Sequence, residues 1–294
     1  MIEAALIWND PRDVRWDGDA AASARATIAA ADAVARAHPG LTRVLGGIAA
    51  GDAEALARLG DAGALDRFDA VQVRGFPLDW SLWPVDAWPD VIAETAAAAP
   101  SHRIWAEAGA GSFGAEEVQV MGLDSTIALL DGRVDRLFWN GLFDLPRGWG
   151  ADSRHREAEG SSYYRLFSLG LVREDGSPKA ALEHVLRHTP ALGIAQAFAQ
   201  DDARLGDAVG WLQRLGVRRI STTLPYAGSL QPGWQDWADR LMAALAPFET
   251  TLTFRLTPDP LALADDRPDT GAFADFCAEA VGRYAVNRAE ALVA

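Results

Sequence analysis

The pattern that most constrains this chain is an alternation of two periodicities, repeated eight times. Short apolar runs recur at residues 2–8, 42–48, 70–75, 103–107, 136–143, 192–198, 217–223 and 250–256. Each is followed by a longer segment with helical spacing, at 20–38, 52–63, 85–98, 115–131, 158–187, 202–215, 233–246 and 271–289. Apolar runs of this length, bounded by Gly, Pro or Asp, suit strands buried on both faces. The helical spacing is plainest over 202–215, where Leu205, Val209, Leu212 and Leu215 form one stripe and Gly216 reads as a C-terminal stop. Strand–helix alternation with short connections implies a parallel sheet. Eight units in 294 residues fit a closed (β/α)8 barrel, an α/β fold, better than an open doubly wound sheet. No Pro-rich or Ser-rich linker divides the chain, so the expectation is a single domain over 1–294.

Composition removes several classes of function. The 41 acidic residues outnumber 27 Lys plus Arg, for a net charge of −14, which repels nucleic-acid backbones and anionic membrane surfaces. No apolar run is long enough to span a bilayer, and no basic segment followed by an apolar core marks a signal peptide; the chain reads as cytoplasmic. One Cys precludes an intrachain disulfide and a Cys-based zinc site, and Cys277 reads as core packing. His184 and His188 stand one helical turn apart without a third ligand nearby in sequence, so they read as surface histidines and no metal is expected. The turn Gly109-Ala-Gly-Ser112 lacks the remainder of a dinucleotide fingerprint, and no cofactor is expected. The only lysine, Lys179, falls in a predicted helix rather than at a strand end, which disfavours Schiff-base chemistry. Oligomeric state is left open. Eleven Trp residues are the one oddity of composition.

In a barrel of this kind chemistry sits where strands end at the C-terminal face. Asp10 and Glu107 each sit where a strand ends. Paired carboxyls across a barrel mouth are what glycoside hydrolysis needs: one protonates the leaving oxygen, and the other attacks the sugar or activates water. Each also has a plainer reading. Asp10 can cap a helix or make an Asx-turn before Pro11, and Glu107 can pair with an Arg on a neighbouring strand.

The residues around these acids resemble the signatures of clan A glycoside hydrolases, nearest in flavour to family 39 β-xylosidase-like and family 5-like barrels. Leu6-Ile-Trp-Asn-Asp-Pro11 resembles the W-N-E-P motif that closes the fourth strand, and Arg103-Ile-Trp-Ala-Glu-Ala-Gly109 resembles the seventh-strand motif W-x-T-E-x-G. Phe68–Pro77 is similar to the sixth strand, and Phe138-Trp-Asn-Gly-Leu-Phe-Asp144 to the eighth. The segments at 192–198, 216–223 and 251–258 resemble strands one to three. The resemblance therefore implies a circularly permuted barrel with strands in the order 4-5-6-7-8-1-2-3.

What the resemblance implies about function is retaining hydrolysis of a β-linked saccharide. Glu107 would be the nucleophile, Asp10 the acid/base, Asn9 a ligand of the sugar 2-OH and Trp139 the floor of the subsite. Trp8, Arg74, Phe76, Trp80, Tyr226 and Trp149 would complete the substrate-binding surface. The sequence departs from the family at three positions, with Asp10 for Glu, Arg74 for His and Ser221 for Arg. These departures imply a second reading, a saccharide-binding barrel that has lost catalysis. The surplus Trp fits both, because aromatic faces stack on sugar rings. Trp80, Trp83, Trp88 and Trp149 are expected beside the mouth, and Trp105, Trp211 and Trp237 in the core.

Overall fold

Strands that are apolar on both faces need neighbours on both edges, and the chain supplies them by closing the sheet on itself. The computed structural model describes residues 1–8, 20–77, 83–145, 167–188, 192–198, 204–229, 232–255 and 269–285, with the side chains of Trp8, Ala20 and Ala227 outside that description. The strands are β1 (Ile2–Trp8), β2 (Thr42–Ala49), β3 (Ala70–Gly75), β4 (Arg103–Ala108), β5 (Arg136–Asn140), β6 (Leu192–Ala195), β7 (Arg219–Pro225) and β8 (Glu249–Arg255). Each pairs in parallel with the next in chain order, and β8 pairs with β1 to close the barrel. The described helices are α1 (Ala20–Ala37), α2 (Ala53–Asp61), α3 (Trp88–Ala98), α4 (Glu116–Leu130), α5 (Ala180–His188), α6 (Leu205–Leu215), the single turn α7 (Tyr226–Ser229), α8 (Trp234–Leu245) and α9 (Thr270–Tyr284). The expected barrel is present. Gly216 ends α6 at φ 64°, a left-handed position that glycine adopts without a Cβ penalty.

Several boundaries differ from expectation: β6 ends at Ala195 rather than 198, β7 runs Arg219–Pro225 rather than 217–223, α9 ends at Tyr284 rather than 289, and two further differences lie near the site. The expected helix over 158–187 is, in its described part, only α5. Ahead of it Gly170 presses against the segment that follows β5, where a Cβ would lie 2.1 Å from the Phe143 carbonyl carbon, and Val172 bridges to Pro178. The expected strand over 136–143 ends at Asn140. Beyond that point the backbone N–H groups of Leu142 and Phe143 turn to the side-chain oxygen of Gln196 instead of to a neighbouring strand.

Register decides what fills the barrel. Side chains alternate between the axis and the helix layer, and the slant of the strands brings four inward residues from alternate strands to each height. Propagating the pairings around the closed sheet puts Val44, Trp105, Gly193 and Thr251 at one height and Leu6, Gln72, Phe138 and Ser221 above them. The next height holds Gly46, Glu107, Ala195 and Thr253. Contacts agree with this stacking: a Cβ on Gly46 would meet Leu6, one on Gly193 would meet Phe138, and the Ser221 and Thr253 hydroxyls lie 3.2 Å apart. The opposite face of the strands packs under the helices, where Ala106, Ala108, Trp139, Ile194 and Leu252 join the main core.

Candidate active site

Glu107 is the one long side chain at its height, since its companions there are Gly, Ala and Thr. It is 6% exposed. A carboxylate so placed needs compensating donors, and two strands provide them. Arg74 of β3 stands directly opposite Glu107 in the register, and its Nε lies 2.9 Å from Glu107 Oε1. The N–H is not aimed at that oxygen, so the contact is an ion pair rather than an aligned hydrogen bond. Asn140, the last residue of β5, donates Nδ2–H to the same Oε1 at 2.7 Å. Neither contact uses Oε2. The Arg74 guanidinium also lies over the Phe76 ring, 4.7 Å from its centroid, which supports a cation on its apolar side.

The backbone around Asn140 is held from three directions. Gln196, just past β6, accepts from Leu142 N at 2.9 Å and Phe143 N at 3.1 Å, and donates to the Ala197 carbonyl at 2.7 Å. Leu171 N donates to Gly141 O at 3.1 Å. Gly109 permits the third approach, since a Cβ there would sit 2.6 Å from the Asn140 carbonyl oxygen and 2.8 Å from the Phe76 ring. The glycine after the Glu107 strand thus serves Asn140 and Phe76.

Several expected site residues are placed elsewhere. Trp139 is fully buried and faces the helix layer, because its register partner Ala108 is outward-facing while Glu107 pairs with inward Phe138. It cannot form a sugar floor; Asn140 occupies the inward position beside it. Phe76 is 1% exposed and packs with Leu169 and Leu145, so it supports Arg74 instead of presenting a face to ligand. Tyr226 packs its ring on Phe273 and Phe276 of α9, at 5.8 and 5.7 Å between centroids. Burial there, with the Asp269 charge adding to it, pushes its phenol pKa up. Trp88 is fully buried and meets Trp83 edge-on at 4.9 Å, both rings resting against Gly75. Trp105 is buried on the axis, 6.0 Å from Phe138, and Trp237 is buried under α8. Trp211 is half-buried, with Arg214 over its ring. Asn9, Asp10, Trp80 and Trp149 lie outside the described residues, as does the Trp8 side chain.

A second charged cluster lies beside the site. Lys179 is not in a helix; it precedes α5, its side chain 2% exposed, with Nζ 2.6 Å from Asp144 Oδ1 and 3.0 Å from the Ser168 carbonyl. Burial pushes the Asp144 carboxyl up and the Lys179 ammonium down, each opposed by the other's charge. The lysine is closed off by its partners, which disfavours Schiff-base chemistry more directly than its sequence position does. His184 and His188 both face Asp124 of α4, at 2.9 and 3.7 Å. Among the described residues no group of three or more His, Cys, Asp or Glu is arranged to hold a metal. No described helix is long and apolar enough to cross a membrane. Cys277 is buried, which pushes its thiol pKa well up.

Neither a family model nor a curated protein matches the sequence. Among solved structures the chain is similar to a psychrophilic family 10 endo-β-1,4-xylanase, at 10% identity and a TM-score of 0.42 over 85% of this chain and 99% of that one. It is also similar to a modular family 26 endo-β-1,4-mannanase from Cellulomonas fimi, at 14% identity and a TM-score of 0.41, covering 83% and 63% of the two chains. A third is a family GH2 β-galacturonidase from Eisenbergiella tayi, at 18% identity and a TM-score of 0.40; 52% of this chain matches and spans 27% of that one. Glycoside hydrolases are thus among the solved structures to which the chain is similar.

Proposed function

We propose that this chain is a clan A-like retaining glycoside hydrolase acting on a β-linked saccharide, with Glu107 as nucleophile. The observation that carries the reading is a buried carboxylate at the C-terminal mouth, anchored through Oε1 by Arg74 and Asn140, with no hydrogen bond to Oε2 from the described residues. In the first step Oε2 attacks the anomeric carbon as the bond to the leaving oxygen breaks, and Asp10 gives that oxygen its proton. In the second step Asp10 takes a proton from water, which attacks the same carbon and releases Glu107. Asn9 would bind the sugar 2-OH, and Trp8, Trp80 and Trp149 would flank the saccharide. Residues 1–294 would form one barrel unit, permuted in the order 4-5-6-7-8-1-2-3 relative to the clan. Closure in chain order accommodates that permutation, and the Met1 amino group, bonded to the Phe248 carbonyl at 2.6 Å, lies at the face opposite the mouth.

The test is hydrolysis of activated aryl β-glycosides across hexosides and pentosides, with product anomers followed by NMR. Turnover with retention that Glu107→Gln abolishes is the expected result; turnover unaffected by Glu107→Gln removes Glu107 from the role. A second reading, saccharide binding without catalysis, is favoured by one observation: Arg74 stands where the clan carries His and holds the carboxylate in an ion pair. It predicts calorimetric binding of oligosaccharides that persists in Glu107→Gln, with no turnover.

A further inference from the structure

Resting on the reading of Glu107 as nucleophile, we propose that Asn140 and Gln196 are positioning residues that commit Glu107 Oε1 and leave Oε2 as the attacking oxygen. Asn140 donates to Oε1 at 2.7 Å from an inward position on β5, and Arg74 meets the same oxygen at 2.9 Å from β3. The carboxylate is therefore gripped from both neighbouring strands, which fixes the torsion that aims Oε2. That grip is only as rigid as Asn140. The strand ends at this residue, and a free strand end would let its side chain wander. Gln196 prevents this by taking the two backbone donors that follow, Leu142 N and Phe143 N, into one side-chain oxygen. Gly141 lets Gln196 come close, since a Cβ there would sit 3.2 Å from its Oε1. Gly109 brings the Asn140 carbonyl against β4, and Leu171 N holds the Gly141 carbonyl. Three strand ends, β4, β5 and β6, are thus joined around one carboxylate oxygen. A reacting group held by packed and hydrogen-bonded supports keeps its geometry through the reaction.

Two measurements test this, one of them independent of activity. The chain has three asparagines, Asn9, Asn140 and Asn287, so their side-chain amide resonances are readily assigned by substitution. The Asn140 amide proton should resonate downfield of the other two and move upfield in Glu107→Gln and in Gln196→Met. In Gln196→Glu, which keeps the acceptor for Leu142 and Phe143, it should stay near its original position. A resonance indifferent to Glu107→Gln, in protein with an unaltered thermal transition, overturns the proposal. The second measurement is inactivation by 2,4-dinitrophenyl 2-deoxy-2-fluoro-β-glycosides, read as a mass adduct on the Glu107 peptide. Loss of one hydrogen bond to a charged group is expected to lower the first-order inactivation constant of Asn140→Ala by about 10–100-fold. The half-saturating concentration should stay within about twofold of the parent, because the bond serves the attack and not ground-state binding. A rise in that concentration with no change in rate overturns the positioning role. If the parent protein forms no adduct with any of these probes, the glycosidase reading fails, and the amide resonances still decide whether Asn140 and Gln196 hold Glu107.

Discussion

Removing Lys179 alone should be far more damaging than removing it together with Asp144. The two side chains are 2% and 13% exposed and 2.6 Å apart, so solvent screening is slight. Lys179→Met would leave Asp144 buried with one remaining donor among the described residues, the Gly170 amide at 2.9 Å. Breaking a buried pair from one side typically costs about 3–5 kcal/mol. In Lys179→Met/Asp144→Leu the uncompensated charge is gone, and the residual cost is the Gly170 N–H left without an acceptor, about 1–3 kcal/mol. The Ser168 carbonyl is spared, since Ser112 N also donates to it at 3.0 Å. Urea unfolding measures both differences directly.

The pH dependence follows with a definite sign. Burial already raises the Asp144 pKa and lowers that of Lys179, so each ionic form is penalised by its site. A carboxyl whose folded pKa lies above its unfolded one contributes stability that is full below the unfolded value, about 4, and is lost as pH rises through the folded value. The deficit of Lys179→Met should therefore shrink as pH is lowered from 7 toward 4. A loss below about 1 kcal/mol at pH 7, well under the range for a broken buried pair, would refute the assignment. So would a double variant no better than the single.

Two further outcomes follow from the same geometry. Trp139→Ala should cost about 3–5 kcal/mol in unfolding free energy, as for other buried Trp, while leaving saccharide affinity of the folded fraction unchanged; selective loss of affinity at unchanged Tm would put the indole back in the mouth. Asp239 on α8 is held below the ordinary carboxylate range by hydrogen bonds from Arg283 and Tyr284 of α9. Its contribution is present above its unfolded pKa and lost as pH falls through the folded value, so Asp239→Asn should lower Tm at pH 6 and flatten the fall in Tm on acidification; parallel pH profiles for the two proteins would contradict this.

Much of the site was hidden in the sequence for one reason. The segment 136–140 shows its apolar content but not its sidedness, because both faces of a barrel strand are buried and Phe138 and Trp139 are equally apolar. A family-like Trp therefore looked like a sugar platform when the pleat turns it into the helix layer. Asn140 belongs to no acid-bearing motif, and its parity with Phe138 is the one clue the segment carries. The plainer expectation for Glu107, an ion pair to an Arg on the next strand, is realised, with Arg74 as the partner. That pairing depends on register between segments 33 positions apart, which no local pattern encodes.

By itself the sequence determined the eightfold repeat, hence the closed parallel barrel, and the presence of an acid at the end of the fourth strand. Those follow from periodicity, which each segment expresses without reference to any other. Tertiary structure alone decided which residues face the axis, that Glu107 stands among Gly46, Ala195 and Thr253, and that Arg74, Asn140 and Gln196 converge on it. The physical reason is that inward and outward positions, and the partners across them, are set by the register and slant of the closed sheet, quantities that exist only once all eight strands have paired.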